Sequence, residues 1–478
     1  MGKLDSIQHI VVLMLENRSF DSMLGRLYPA SPAFDGLSGA ESNPDLAGTP
    51  VQIWSGDGID EAAVRFPAPD PGELWTDINT QLYGHAEAPA AGEKPAMNGF
   101  VRNYQEQAAP ALATDVARGV MHAYSEQQVP VMSRLAKQFA VCDRWFASAP
   151  CQTWPNRFFV HTGTANGYEN NGPPHFPYLM PTIFDRFEDL EVDNGWKIYF
   201  HDLPQALTLA RLLPHVDRFR PYATFGDDVA NGTLPAYSFI EPRYFQDADL
   251  PNDQHPPHAV TLGEQLIADV YNTLRSGPGW DDTLLVICYD EHGGCYDHVP
   301  PPQATPPGAP TSPFNFDRYG VRVPAVLVSP RIAPGTILRP PGDVPFDHTS
   351  ILATLRKRFG LGQPLSRRDA VAPDLECVLT LDGPDNQGPE HVEANPYVPS
   401  DAILSRRAPL NGFQLSLLDL VERLPEDIAQ IDASLAAMIA SPPMTLEAYR
   451  LKVDRFRFDA AQALAEARSR LSSLFSSL

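Results

Sequence analysis

The sequence predicts an α/β protein built on a largely parallel sheet with helices on both faces, and three observations carry that expectation. Four short apolar runs, at 10–15, 197–200, 284–289 and 323–328, are rich in β-branched or aromatic residues. Each stops at polar or turn residues, the pattern of a buried strand. Helix-period stretches lie between them, at 131–139 (VMSRLAKQF), 262–274 and 350–359 (SILATLRKRF). Two of the strands end in clustered polar side chains, and an open α/β sheet binds its ligand at the carboxyl ends of its strands. Strands alternating with helices imply parallel pairing and two covered faces.

The first strand runs apolar to Leu15 and then delivers Glu16, Asn17, Arg18, Ser19, Phe20 and Asp21. Further on, the segment APCQTWPNRFFVHTGT at 149–164 has an early Pro155 and then Phe-Phe-Val. That order places a helix N-terminus near Thr153. Such an end offers free N–H groups and a positive dipole to a phosphate, although a threonine there is also an ordinary N-cap. The strand at 197–200 is followed by His201, and the loop PNDQHPPHAV carries His255 and His258 among prolines. The strand at 284–289 releases Asp290, Glu291 and His292 ahead of Gly293-Gly294. The helix at 350–359 follows Asp347-His348-Thr349, residues suited to capping it. Proline concentrates at 299–313 (VPPPQATPPGAPTSP), either the rim of a site or a plain surface connection. From about residue 400 the composition shifts, and 410–424 and 443–478 read as helices rich in Ala, Leu, Glu and Arg. The expected division is a catalytic domain over 1–395 and a helical extension over 396–478.

A chain of 478 residues suits one large α/β domain with insertions, or two domains. Its net charge of −23 argues against nonspecific nucleic-acid binding, and against docking on anionic lipid by charge alone. No stretch approaches the roughly 20 apolar residues of a membrane span. The first residues lack the cleavage site of a signal peptide, so the chain as it stands reads as cytoplasmic, or as exported if a leader had been removed. Gly2 with Ser6 meets a myristoylation pattern weakly, and the nearby core strand argues against it. The five cysteines are odd in number and widely spaced without a CxxC. Buried free thiols fit better than a disulfide framework or a zinc–thiolate site.

If the strands ending at Leu15 and Tyr289 are parallel neighbours, Glu16, Asn17, Asp290 and Glu291 converge. Three carboxylates cannot stay ionised together without a counter-charge, and a divalent cation supplies one. An all-oxygen ligand set favours Ca²⁺, Mg²⁺ or Mn²⁺, with Zn²⁺ as the alternative. Each motif alone has a plain reading, a helix cap for 17–21 and a solvated turn for 290–294; their joint occurrence at two strand ends favours the metal. Among His201, His255 and His258, one as a general acid fits such a site.

Together these segments resemble a known family. The resemblance runs through IQHIVVLMLENRSFDSMLG (7–25), Asp70-Pro71-Gly72, MNGF (97–100), FAVCDRWFASAPCQTWPNRFFVHTGT (139–164), LPAYSFIEP (234–242), DQHPP (253–257), YDEHGGCYDHVPPP (289–302) and 346–359. It is similar to the bacterial phosphoesterase family of phosphatidylcholine-type phospholipases C and respiratory-burst-inhibiting acid phosphatases, over about residues 5–365. The resemblance implies an alkaline-phosphatase-like, three-layer α/β/α sandwich. It implies a hydrolase of phosphoric mono- or diesters with one divalent cation held by Glu16, Asn17, Asp290, Glu291 and the hydroxyl of Thr153. Thr153 would be the nucleophile, forming a phosphothreonine. His255 would protonate the leaving alcohol and activate water, with His201, His258 and Asn156 as substrate contacts. The implied substrate is a phosphate ester, a small molecule or a phospholipid, and Trp75, Trp145 and Trp154 are candidate head-group walls. One departure stands out: many relatives carry a histidine in the segment matching 70–79, where this chain has Glu73, Asp77 and Asn79, the nearest histidine being His85. The larger phospholipases of the family have β-domains after the catalytic region, whereas the tail here is helical. A compact phosphatase or short phospholipase C is expected; the alternative is a catalytically silent protein that binds a metal and a phosphate ligand or lipid.

Overall fold

The computed structural model describes residues 2–246, 249–401, 403, 411–417 and 419–420. In chain order its strands are β1 (His9–Leu15), β2 (Ser42–Pro44), β3 (Pro50–Gln52), β4 (Ala140–Cys142), β5 (Trp196–Phe200), β6 (Phe219–Pro221), β7 (Tyr237–Glu241), β8 (Thr283–Tyr289), β9 (Ala325–Val328) and β10 (Thr336–Leu338). Eight form one sheet in the order β10-β4-β9-β8-β1-β7-β5-β6, while β2 and β3 pair separately. Only β9 runs against its neighbours in the large sheet, antiparallel to β4 and β8. The pairs β1–β7, β1–β8, β5–β7, β5–β6 and β10–β4 are all parallel.

The four expected strands are β1, β5, β8 and β9, each with its start moved by one or two residues. Central position explains their composition. All seven residues of β8 and six of seven in β1 are buried, so both sides of each strand must be apolar. The short strands β4, β6 and β10 carry three residues each, too few to show a period. β7 (YSFIE) has no unbroken apolar run, because Ser238 and Glu241 interrupt it, although all five residues are buried. The reversal of β9 keeps the 290–324 connection on the carboxyl edge of the sheet, since an antiparallel neighbour needs no crossover.

The expected helices are Pro130–Gln138, Val260–Ser276 and Thr349–Phe359. Pro130–Gln138 packs on Val260–Ser276, and Thr349–Phe359 packs on Thr153–Thr162, which in turn meets Ile183–Asp189. These two groups are the outer layers of an α/β/α sandwich. The capping expectation at Thr349 differs in detail. His348 occupies the N-cap without a side-chain bond to the helix, and Asp347 accepts from the Thr349 hydroxyl instead of from a backbone N–H. Cys142, Cys151, Cys288 and Cys295 are buried free thiols as expected, but Cys377 is exposed. Among the described residues no helix is long and apolar enough to cross a membrane. Residues 412–417 are helical; the rest of the helices expected at 410–424 and 443–478 lies almost wholly outside the described residues.

One buried carboxylate joins two helices of the same layer. Glu264 Oε2 accepts from Val131 N–H (2.6 Å) and Oε1 from Met132 N–H (3.2 Å), the free donors at the start of Pro130–Gln138. Glu264→Ala strands both donors in a dry interface, so a loss of about 2–4 kcal/mol is expected from two orphaned groups. Urea unfolding measures it; a midpoint equal to wild type would show that other groups satisfy those donors.

Candidate active site

The site begins with register. β1 and β8 pair from His9↔Thr283 to Leu15↔Tyr289, so Glu16 and Asp290 leave the sheet side by side. Asn17 N–H donates to Asp290 Oδ1 (2.9 Å), and Glu16 N–H donates to Asp253 O (2.9 Å), which brings in the DQHPP loop. Asn17 turns the chain at φ +55°, a left-handed conformation that asparagine tolerates better than most residues. The loops after β1 and β8 are then stapled together. Ser19 Oγ donates to Tyr296 O (2.6 Å), and the buried Arg322 donates to Asp21 Oδ1 (3.0 Å) and Asp297 Oδ1 (3.0 Å). Gly293 lies at φ +57°, and a Cβ there would stand 2.3 Å from Asn17 O, so the close approach of the two loops requires glycine.

Thr153 is the first residue of the helix Thr153–Thr162, one place inside the N-cap Gln152. Its hydroxyl therefore does not cap. Thr153 Oγ1 stands 3.4 Å from Glu16 Oε2 and 3.4 Å from Asn17 Oδ1. Asn156 shapes the turn that precedes it: Nδ2 donates to Ala149 O, Cys151 O and Gln152 O, and Oδ1 accepts from Ala149 N–H. Its Nδ2 donors are spent on the backbone, so Asn156 shapes the turn that presents Thr153. Arg157, four residues after Thr153 and so on the same helix face, donates to Glu16 Oε1 and to Met14 O (3.1 Å) and lies 3.9 Å from Asp290 Oδ2. Gln205 Nε2 also donates to Glu16 Oε1 (2.8 Å).

Glu16, Asn17, Thr153, Asp290 and Glu291 are all buried. Burial pushes the Glu16 carboxyl well above the usual carboxylate range, with Arg157 opposing the rise. Glu291 is pushed up to about 8 by burial and then by the neighbouring Asp290. Glu73 joins them: its carboxyl contacts Asn17 Nδ2 and is pushed well up by burial and by Glu291. The buried Asp290 Oδ2 has no hydrogen-bond partner among the described residues. Crowded carboxylates with an unpartnered oxygen, beside a hydroxyl and a carboxamide oxygen, fit a hard divalent cation. The Glu16–Asp290–Glu291 set is looser than a filled coordination sphere, because Arg157 holds Glu16 and Asn17 Nδ2 donates to Glu291 (2.6 Å). Tighter clusters of acidic and histidine ligand atoms are Asp70–Glu73–His255 and Asp21–Asp297–His298; Arg322 neutralises the second.

The histidines separate. His255 is buried, donates Nδ1–H to Pro256 O (2.8 Å), and turns Nε2 toward Glu73 Oε2 at 3.8 Å. A carbonyl only accepts, so the proton sits on Nδ1 and Nε2 carries a lone pair; burial also lowers the ring's pKa to about 4. That tautomer supplies no proton at Nε2 for a leaving alcohol, unlike the role expected from the sequence. The ring is stacked on Phe413 (6.1 Å between centroids, 12° between planes), which belongs to the 412–417 helix. His258 pairs with Asp253 Oδ1 (2.6 Å). His201 stacks on Tyr222 (4.2 Å) and bonds Glu241 O, with no bond to the converging groups. His85 pairs with Glu93 (2.9 Å) and so does not stand in for the missing histidine of segment 70–79. Trp75, Trp145 and Trp154 are all buried. The sequence reading passed over Arg157, Gln205 and His348. The sequence suits His348 to a cap, whereas in the structure its Nε2–H donates to Asp290 O (2.6 Å). For Arg157 the i+4 spacing from Thr153 was the available signal; Gln205 had none.

The sandwich and its carboxyl-edge cluster define a class, an α/β protein whose site joins crowded acidic groups to a hydroxyl at a helix N-terminus. Comparison with known proteins narrows it. The model of the phosphoesterase family matches residues 7–362, and the chain belongs to that family. It is 39% identical over 442 residues to non-specific phospholipase C1 of Arabidopsis thaliana, covering 88% of this chain and 80% of that protein. It is 40% identical over 392 residues to non-specific phospholipase C6 of the same plant, covering 78% and 72%. Phospholipase C B of Mycobacterium tuberculosis is 28% identical over 464 residues, covering 80% of each chain. The protein is a phosphoric ester hydrolase.

Gly293→Ala tests the stapled loops. The new Cβ must push Asn17 away and sit in a left-handed conformation that costs about 1–2 kcal/mol by itself. A lowered melting temperature and weaker divalent-cation binding are expected; if calorimetry finds both unchanged, the loops do not depend on that approach.

Proposed function

We propose that this chain cleaves phosphodiesters of the phospholipase C type through a covalent ester on Thr153, with a divalent cation held by Glu16, Asn17, Thr153, Asp290 and Glu291. The observation that carries the reading is the position of Thr153 Oγ1, 3.4 Å from both Glu16 Oε2 and Asn17 Oδ1 at a helix N-terminus. The diester preference rests on the phospholipases C at 28–40% identity. A bound cation would supply positive charge that favours the alkoxide form of the hydroxyl and offsets charge on the phosphoryl oxygens.

The chain's own groups account for the remainder. At the helix N-terminus Trp154 N–H is held by Asn171 Oδ1, Asn156 N–H by Gln152 O, and Pro155 has no N–H, so Thr153 N–H is the donor left for a phosphate oxygen. In the first half the Thr153 Oγ–phosphorus bond forms, the phosphorus–oxygen bond to the alcohol breaks, and the proton lost by Thr153 ends on that alcohol. In the second half the oxygen of a water bonds to phosphorus, the Thr153 Oγ–phosphorus bond breaks, and a proton lost by that water returns to Thr153. His255, with a lone pair at Nε2, serves the water-consuming half and not the departure of the alcohol. Arg157 and Gln205 hold Glu16 in place.

Thr153→Ala is expected to lower turnover by about 10³-fold or more, with melting temperature and bound cation retained. Turnover at the wild-type rate in that folded variant would sink the covalent scheme. Chelation is expected to abolish turnover of p-nitrophenyl phosphorylcholine and excess cation to restore it, while p-nitrophenyl phosphate is the poorer substrate. A preference for the monoester would replace the phospholipase reading with a phosphatase.

A further inference from the structure

Glu73 stands where the family resemblance leads one to expect a histidine, and its surroundings give it a use. One ligand atom from each of Asp70, Glu73 and His255 lies within 4.8 Å of the others. An acidic cluster alone says little, but His255 adds an independent observation. Its ring is fully buried and its Nε2 has no hydrogen-bond partner among the described residues. The lone pair points at a carboxylate oxygen 3.8 Å away, too far for a hydrogen bond and wrong in sign for direct contact. Two ligands that share one ion at about 2.0–2.2 Å each stand about 3–4 Å apart. The bond from Nδ1–H to Pro256 O fixes the ring as metal-binding histidines are usually fixed, through the nitrogen that does not ligate; that nitrogen also lies 3.6 Å from Asp70 Oδ1, which keeps Asp70 beside the ring.

We propose that Asp70, Glu73 and His255 hold a second divalent cation, of the kind that accepts an imidazole nitrogen, such as Mn²⁺ or Zn²⁺. This rests on the cation-dependent reading above and deepens it: with the ion held, the Nε2 lone pair of His255 would serve the water-consuming half as a ligand and not as a proton acceptor. Glu73 links the two places: the same carboxyl contacts Asn17 Nδ2, which also donates to Glu291 (2.6 Å). The crowding of buried carboxyls favours a further positive charge. Glu16, Glu73, Asp290 and Glu291 are buried together, with Asp70 at their edge, and Arg157 is the cation paired among them. Arg18 is spent on the carbonyls of Gln254 and Phe66. Arg18 offsets Asp70 in part, but one divalent cation at Glu16 and Asp290 leaves Glu73 facing Glu291 with no paired positive group. Paired metal sites in phosphate-ester enzymes stand about 3.5–4 Å apart, a spacing that a shared carboxylate can span.

The test loads the full chain with Mn²⁺, removes the excess, and reads bound metal by elemental analysis and by electron paramagnetic resonance. Wild type is expected to retain about two ions with an exchange-coupled signal. Glu73→Gln is expected to retain about one with an uncoupled signal, and Asp70→Asn gives a second reading should the first variant fold poorly. A single ion in wild type, or two ions in both folded variants, overturns the proposal. If the single wild-type ion disappears in Asp290→Asn, the functional reading stands and the second site alone falls. If wild type retains no ion, both fall.

Discussion

The parallel pairing of β1 with β8 is the constraint on which the rest of the site depends. Both strands are buried on both faces, so both are apolar to their last residue, and both release charge at the same level of the sheet. A slip of one residue would turn every side chain of β1 to the other face. Glu16 would then leave Asp290, and Asn17 N–H would lose Asp290 Oδ1. The hydrophobic register of two dry strands thus sets the spacing of a wet and charged site.

The loops beyond the strands hold what register delivers. Arg322, Asp21 and Asp297 form a buried charge network whose members satisfy one another, and breaking such a network costs about 3–5 kcal/mol. Around Glu16, Glu73, Asp290 and Glu291 the balance is the reverse. Arg157 lies beside Glu16 and Asp290 but not beside Glu73 and Glu291, and Asp290 Oδ2 accepts no hydrogen bond among the described residues. The first arrangement stabilises the fold; the second is tolerable because a ligand can complete it. A contrast of this kind, between buried charge that is closed and buried charge that is open, separates scaffold from site without reference to any relative.

The tail enters the same account. Phe413 stacks on His255 and meets Tyr244 edge to face, and Gln414 Nε2 donates to Tyr244 O (2.5 Å). A segment far down the chain thereby fixes the ring whose lone pair the chemistry uses. His201 shows the opposite outcome. It follows a strand, as Glu16 and Asp290 do, yet β5 lies two strands from β1, and the ring closes on Tyr222. Following a strand is not enough; the strand must adjoin the others that contribute.

Local rules made much of this legible. Apolar runs marked β1, β5, β8 and β9, helix periodicity marked three long helices, and polar residues at two strand ends marked Glu16, Asn17, Asp290 and Glu291. Those signals are short-range, and each is complete within about ten residues. What the sequence determined by itself was therefore the α/β class, the elements with a full period, and the chemical kinds of group at the strand ends. The tertiary structure alone decided the reversal of β9, the unspent lone pair of His255, the use of Asn156 and Arg157 as supports, and the meeting of Glu73 with Glu291. Each depends on groups far apart in the chain, and a hydrogen-bond partner or a counter-charge is a property of the fold, not of the residue that needs it.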